Sequence, residues 1–130
     1  YRLKNAVNYD WDATTRLKQL RPARFEWIAD GDDAVPVDGF LAHEAATVVP
    51  ESVIGTHNEV KTWTQQEIDD GDAPDGSSAG DNKLDEDGNT IPVMQGIDQS
   101  KLVPLLTKAL IEAVEKIEAL EVRITALETA

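Results

Sequence analysis

Residues 96–127 read GIDQSKLVPLLTKALIEAVEKIEALEVRITAL, and this stretch organises the chain. From residue 106 onward, apolar side chains recur at alternating spacings of four and three, which is the heptad pattern of a coiled-coil helix. The a and d positions of this seam are Leu106, Leu110, Ala113, Ile117, Leu120, Ile124 and Leu127. One helix cannot bury such a seam alone, so the sequence predicts an oligomer.

The charges beside the seam favour a parallel, in-register arrangement. Lys116 and Arg123 occupy g positions, and Glu121 and Glu128 occupy e positions. In a parallel coil each g residue faces the e residue five positions on in the partner, so both pairs are opposite in sign. Isoleucine at a with leucine at d favours two strands in simple parallel coils, so this pattern alone leans towards a dimer.

Composition excludes several kinds of partner. The chain has 130 residues, a formal net charge of −13 and no cysteine. Its length allows one domain with a modest core. Nucleic acid and anionic membrane surfaces are poor partners, because binding them would work against Coulomb repulsion. No apolar run reaches membrane-spanning length and no signal peptide is visible, while the start at Tyr1 without methionine indicates a fragment or a processed product.

Residues 1–95 predict a small mixed α+β body, and residues 96–130 predict its C-terminal coiled-coil helix. The predicted body elements are a strand or extended arm over 1–9, a helix over 13–20, strands over 23–28, 39–42 and 51–54, and a helix over 43–49. The aromatic residues expected in the core are Trp11, Phe25, Trp27 and Phe40.

An acidic arm is predicted to project from this body at about residues 61–95. Residues 67–90 contain nine acidic side chains and one base, Lys83, for a net charge of −8. A short helix is expected over 65–69, and a turn at Asp87-Gly88-Asn89.

The sequence predicts no metal and no cofactor. The acidic arm does not meet the spacing of an EF-hand calcium loop. His43-Glu44 begins like a zinc-binding H-E-x-x-H motif, but Thr47 stands where the second histidine belongs.

The final helix is predicted over 99–128, with Asp98 as its N-cap and a length of roughly 45 Å at about 1.5 Å per residue. Pro104 would then lie beyond the first turn, so a bend near Lys101 is expected. Such a helix is longer than a globule of this size needs, so its end should protrude.

Four sequence pieces stand in a characteristic order over nearly the full chain. They are Arg2-Leu3-Lys4; Leu20-Arg21-Pro22 with Phe25 and Trp27; Asp38-Gly39-Phe40-Leu41-Ala42-His43-Glu44 with Val49-Pro50-Glu51; and Gly96-Ile97-Asp98 with Ser100 to Leu106, Lys108 and Ala109. No single piece is specific, but the ordered set resembles the C-terminal intramolecular chaperone domain of phage tail spikes, tail fibres and endosialidases. The same domain occurs in the myelin regulatory transcription factor.

The resemblance implies a homotrimer that assists folding of an upstream fibre or spike portion of the same polypeptide and then cuts itself off. It implies a self-cleaving serine peptidase of one turnover, with Lys4 as the general base and a serine nucleophile two residues before Tyr1, outside this sequence. The chain alone would then be inactive. Assembly would take place in the host cytoplasm, with the fibre part entering the virion tail and this domain released.

The chemistry requires a neutral lysine, which apolar surroundings favour over the charged form. Subunits closing around Lys4 would supply those surroundings. His43 follows the matched strand and would support the cleavage site by hydrogen bonding; a purely structural histidine is the alternative.

Other interpretations of the chain stay open. It is alternatively a non-cleaving trimerisation or receptor-binding tip module of a tail fibre, in which Lys4 is an ordinary surface lysine. A weaker interpretation is an acidic head that binds a carbohydrate or receptor. Serine followed by aspartate or asparagine ahead of Tyr1 would favour cleavage, whereas alanine or glycine would oppose it.

Overall fold

The computed structural model describes residues 2–130 as a small mixed helix and strand domain with a long C-terminal helix. The helices are α1 (Ala13–Leu17), α2 (Ala42–Val48), α3 (Gln65–Asp69) and α4 (Val103–Glu128). The strands form two antiparallel pairs: β1 (Ala23–Phe25) with β2 (Val37–Gly39), and β3 (Val53–Ile54) with β4 (Gly96–Ile97). Short 3-10 helices span Ile28–Asp33, Pro50–Ser52 and Gln99–Leu102. This architecture agrees with the predicted α+β class.

Helix α1 begins where the sequence predicts and ends three residues early. The Asp12 side chain accepts the backbone N–H of Thr15 at 3.1 Å and so caps the helix. Hydrogen bonds from Thr15 also lower the pKa of Asp12. Beyond Leu17 the backbone tightens into i to i+3 bonds, with the N–H of Leu20 donating to Leu17, before Pro22 ends any helical continuation.

The β1–β2 pair is shorter than its sequence pattern predicts. β1 ends at Phe25, so the alternation does not carry Trp27 inward, and the prediction that Trp27 lies in the core is wrong. Trp27 is 58 % exposed and instead makes an edge contact with the Phe25 ring, with centroids 5.2 Å apart. The strand predicted over 39–42 ends at Gly39, because α2 has already begun at Ala42.

The core lies between α1, the end of α2 and the start of α4. Its buried residues are Ala13, Val48, Val49, Leu102, Leu105 and Ala109. Trp11, Leu17, Leu20 and Phe40 pack against it, so the core prediction for Trp11 and Phe40 is confirmed. The first turns of α4 therefore belong to the body of the protein.

The start of α4 explains how Pro104 is accommodated in the helix. Asp98 caps a 3-10 helix over Gln99–Leu102, accepting the N–H of Ser100 at 3.1 Å, and the α-helix begins only at Val103. Pro104 therefore lies in the first turn, where its missing N–H costs nothing. The predicted helical stretch over 99–128 is confirmed, but its first turn is a 3-10 helix and not an α-helix. The 26 residues of α4 span about 39 Å.

The arm, residues 55–95, leaves and returns at one point. β3 and β4 pair directly before and after it, and at Gly55 (φ 84°) an added Cβ would lie 3.3 Å from the Cα of Gln95. Within the arm, isolated bridges join Val60 to Pro92, Thr62 to Asn82 and Leu84 to Thr90. The predicted helix over 65–69 is confirmed. Projection of the arm away from the body stays a prediction.

Candidate assembly surface and N-terminal site

The seam lies exposed along α4. Its six leucine and isoleucine side chains keep between 41 % and 76 % of their surface accessible, and Ala113 is exposed as well. Leu105, on the same helix, is 2 % exposed. The predicted seam is thus a continuous apolar line that one chain leaves uncovered.

A different face of α4 packs on the body. Leu105 and Ala109 are buried there, and Glu112 is half-buried. These residues fall at heptad positions c, g and c, beside the a/d seam but not on it. The helix therefore contacts its own body with one flank and keeps the seam free.

Glu112 fixes α4 to the beginning of α1. Its carboxylate accepts the backbone N–H of Ala13 at 2.8 Å and that of Thr14 at 3.2 Å. The first amides of a helix lack partners within the helix, and a carboxylate also suits their partial positive charge. No local pattern marks Glu112 in the sequence, because Ala13 lies 99 positions away along the chain.

Lys4 lies in an exposed and irregular part of the chain. Leu3 and Val7 beside it are exposed too, so neither covers Lys4 within the single chain, and its predicted burial by other subunits stays a prediction. Of the strand or arm predicted over 1–9, Tyr1 lies outside the described residues, and residues 2–9 form turns and irregular backbone, with Ala6 at φ 51°.

His43 lies exposed on α2 and stacks on His57. The two ring centroids are 4.3 Å apart, and the rings are inclined by 24°. His57 has no recognisable partner in the sequence, and only the fold brings it here. Among residues 2–130 no hydrogen bond joins His43 to Lys4, so the support of Lys4 by His43 stays a prediction.

A polar cluster holds the arm together. The Lys83 ammonium pairs with the Glu67 carboxylate and lies 4.5 Å from the centre of the Trp63 ring. Glu67 also accepts the N–H and hydroxyl of Thr64, which caps α3. The hydrogen bond from Lys83, followed by those from Thr64, lowers the pKa of Glu67 to about 2. The spacing of Thr64 and Glu67 is that of a capping box, but no sequence pattern predicts the contact between Glu67 and Lys83.

The described residues contain no group suited to metal binding or membrane spanning. Over residues 2–130, no three histidine, cysteine or acidic side chains come close enough to hold a metal ion. None of the helices in this range is both long and apolar enough to cross a bilayer.

Family models and curated proteins provide no relative of this chain. No protein-family model matches the sequence, and no curated protein matches it either. The ordered resemblance to the chaperone domain therefore remains an interpretation of the sequence itself.

Proposed function

We propose that this chain is an intramolecular chaperone that trimerises, assists folding of an upstream phage tail fibre or spike, and is released by autoproteolysis at a Ser–Lys site. The single observation that carries the assembly part is the seam, exposed over most of α4 and flanked by complementary charges. The release part depends on the ordered sequence resemblance and on Lys4.

Burial of the seam supplies the driving force for assembly. Complete burial of a large aliphatic side chain contributes about 1.5–3 kcal/mol, so a half-covered one gains on the order of 1 kcal/mol when a partner covers the rest. Six of the seven seam layers from Leu106 to Leu127 are leucine or isoleucine and repeat this gain in every chain. The Lys116–Glu121 and Arg123–Glu128 pairs add little energy at the surface but select the parallel register.

Three strands fit this surface better than two. The simple rule for isoleucine at a and leucine at d favours a dimer, but Ala113 at a d position weakens that rule here. The apolar surface is also wider than the seam, since Val114 at an e position is 43 % exposed. A strict a/d line makes the narrow seam of a simple coil, whereas a wider face favours more helices. The resemblance points to three as well.

The cleavage step needs a neutral amine at Lys4. In this step the amine takes the hydroxyl proton of the upstream serine while the serine oxygen attacks the carbonyl carbon of the bond before it. The C–N bond breaks, the proton passes to the leaving amine, and water later hydrolyses the ester. Because Lys4 is exposed in the single chain, the apolar surroundings that permit this step are expected only after assembly.

The test is the intact mass of the full-length protein and of its Lys4→Ala variant. We expect two fragments that meet just before the serine in the parent protein and one uncut, trimeric chain in Lys4→Ala. Lys18→Ala, which removes another exposed lysine, should still cut. Cutting by Lys4→Ala would remove Lys4 from the mechanism, and an uncut parent trimer would remove autoproteolysis altogether.

The exposure of Lys4 also favours a second candidate, a trimerisation or receptor-binding tip module that never cleaves. In that case the seam keeps its role, and the parent protein and both lysine variants give a single uncut trimer.

A further inference from the structure

An open groove runs along α4 beside the seam. It has a volume of about 520 Å³, and its lining is formed by Tyr9, Trp11, Val103, Pro104, Thr107 and Ile111 together with one charged residue, Lys108. Tyr9 and Ile111 are both exposed there, so a single chain leaves apolar surface uncovered outside the a/d positions.

The groove and the body lie on opposite flanks of the seam. Thr107 and Ile111 in the groove occupy heptad positions e and b. Leu105, Ala109 and Glu112, which hold the body, occupy positions c and g. Around a heptad helix, e and b follow a on one side, whereas g and c follow d on the other. The chain before α1 therefore wraps round the outer side of α4 from one flank to the other.

Parallel packing determines what meets the groove. In a parallel coil, the e flank of each helix faces the g flank of the next. Because each α4 carries its own body on the g flank, that body must lie over the e flank of the neighbouring α4. We propose that the groove of each protomer receives the body of the neighbouring protomer, with α1 in first contact. This inference rests on the trimer of the proposed function.

The arrangement gives the N-terminal segment, residues 2–12, a second wall. Tyr9 and Trp11 would lie between their own α4 and the body of the neighbouring protomer. Lys4 stands shortly before Tyr9, on the stretch of chain that enters from this side. Docking of the neighbour would therefore enclose the segment only in the assembled protein, which is the cover that Lys4 lacks in the single chain.

A pair of matched substitutions tests the groove. Ile111→Asp places a charge in the groove, whereas Val122→Asp places the same charge on an exposed f position beyond the body. Both residues lie outside the seam, so a bare coiled coil would treat them alike. We expect Ile111→Asp to weaken the trimer by about tenfold or more in sedimentation equilibrium, and Val122→Asp by less than about twofold. Equal effects would overturn the proposal.

A photo-crosslinking amino acid at Thr107 of the full-length protein identifies the occupant directly. We expect intermolecular products that map to residues 13–20 of the neighbouring protomer, and none from the same probe at Val122. A trimer whose Thr107 probe reaches only its own chain, only the other α4 helices, or the upstream fibre overturns this inference and leaves the proposed function standing. A protein that does not form a trimer overturns both.

Discussion

The two halves of α4 are both apolar, but only the first half also packs on the body of its own chain. In the first half, Leu105 and Ala109 are buried against α1, and Glu112 binds the first amides of that helix. In the second half, Ile117 and Ile124 are 54 % and 52 % exposed. One continuous helix thus joins a part that packs on its own chain to a part that the single chain leaves uncovered.

The difference shows that the burial of an apolar residue in α4 depends on the face of the helix on which it lies. Leu105 and Leu106 are neighbours in sequence, but one is 2 % exposed and the other 45 %. The body takes the c and g flank and stops at Glu112, while the a/d seam continues to Leu127. Folding of the single chain and the proposed assembly therefore involve separate faces of α4, and substitutions can disturb one without the other.

The largest effect is expected from Ile117→Asp in the middle of the seam. Each lost isoleucine removes on the order of 1 kcal/mol of burial, and three carboxylates would meet in one apolar layer. The trimer should weaken by more than about a hundredfold and become monomeric at micromolar concentration in light scattering. The free end of α4 should also lose helicity, because isolated helices are marginal in water.

Val122→Asp is the control for this variant, because Val122 is 71 % exposed and lies off the seam. It should stay trimeric. If Ile117→Asp also unfolds the body, then the first half of α4 depends on assembly as well, and the two halves do not differ in this respect.

A smaller effect is expected from leucine truncation in the first half, measured by urea unfolding in the monomeric Ile117→Asp background. Leu105→Ala leaves a cavity in the core and should lower the free energy of unfolding by about 2–5 kcal/mol. Leu110→Ala, 65 % exposed on the seam, should change it by less than about 0.5 kcal/mol. Similar losses from both would mean that the seam already packs within one chain.

Sequence periodicity predicts elements whose partners are local. The heptad seam, the start of α1 at Ala13 and the helix at 65–69 all follow from residues within a few positions of one another. The extent of β1 does not, since nothing near Trp27 signals that the strand ends at Phe25. The alternation there continues in the sequence after the ladder has stopped.

The parts of the candidate site that the sequence misses all join distant residues. Glu112 accepts hydrogen bonds from Ala13 and Thr14, and His43 stacks on His57. The partners in each contact are far apart in the sequence, so no local spacing of residues predicts them. Their positions depend on how α4, α2 and the arm base pack in three dimensions. A sequence pattern shows which types of residue are present but does not show that these distant residues come into contact.

The smallest effect is expected in the arm, where acid should loosen a polar contact and leave both halves of α4 unchanged. The folded pKa of Glu67 is about 2, below its ordinary value of 4.5, so the charged form stabilises the folded arm. That contribution is complete above pH 4.5 and is lost as the pH falls from 4.5 towards 2. An NMR titration of the folded protein should show the Glu67 carboxyl and the Thr64 amide shifting together with a midpoint near pH 2.

Lys83→Met tests the cause, because the hydrogen bond from Lys83 does more than any other contact to lower the pKa of Glu67. The titration should move up towards 4.5 but not reach it, since Thr64 still donates two hydrogen bonds to the carboxylate. Lys61→Met, which removes an exposed lysine of the same arm, should leave the midpoint unchanged. If the midpoint in Lys83→Met is unchanged, the lowered pKa of Glu67 is due to the capping box with Thr64 alone. The arm would then depend on local contacts, as the Asp12 cap of α1 does. A clear rise would place the arm with the first half of α4, where contacts between distant residues decide the structure.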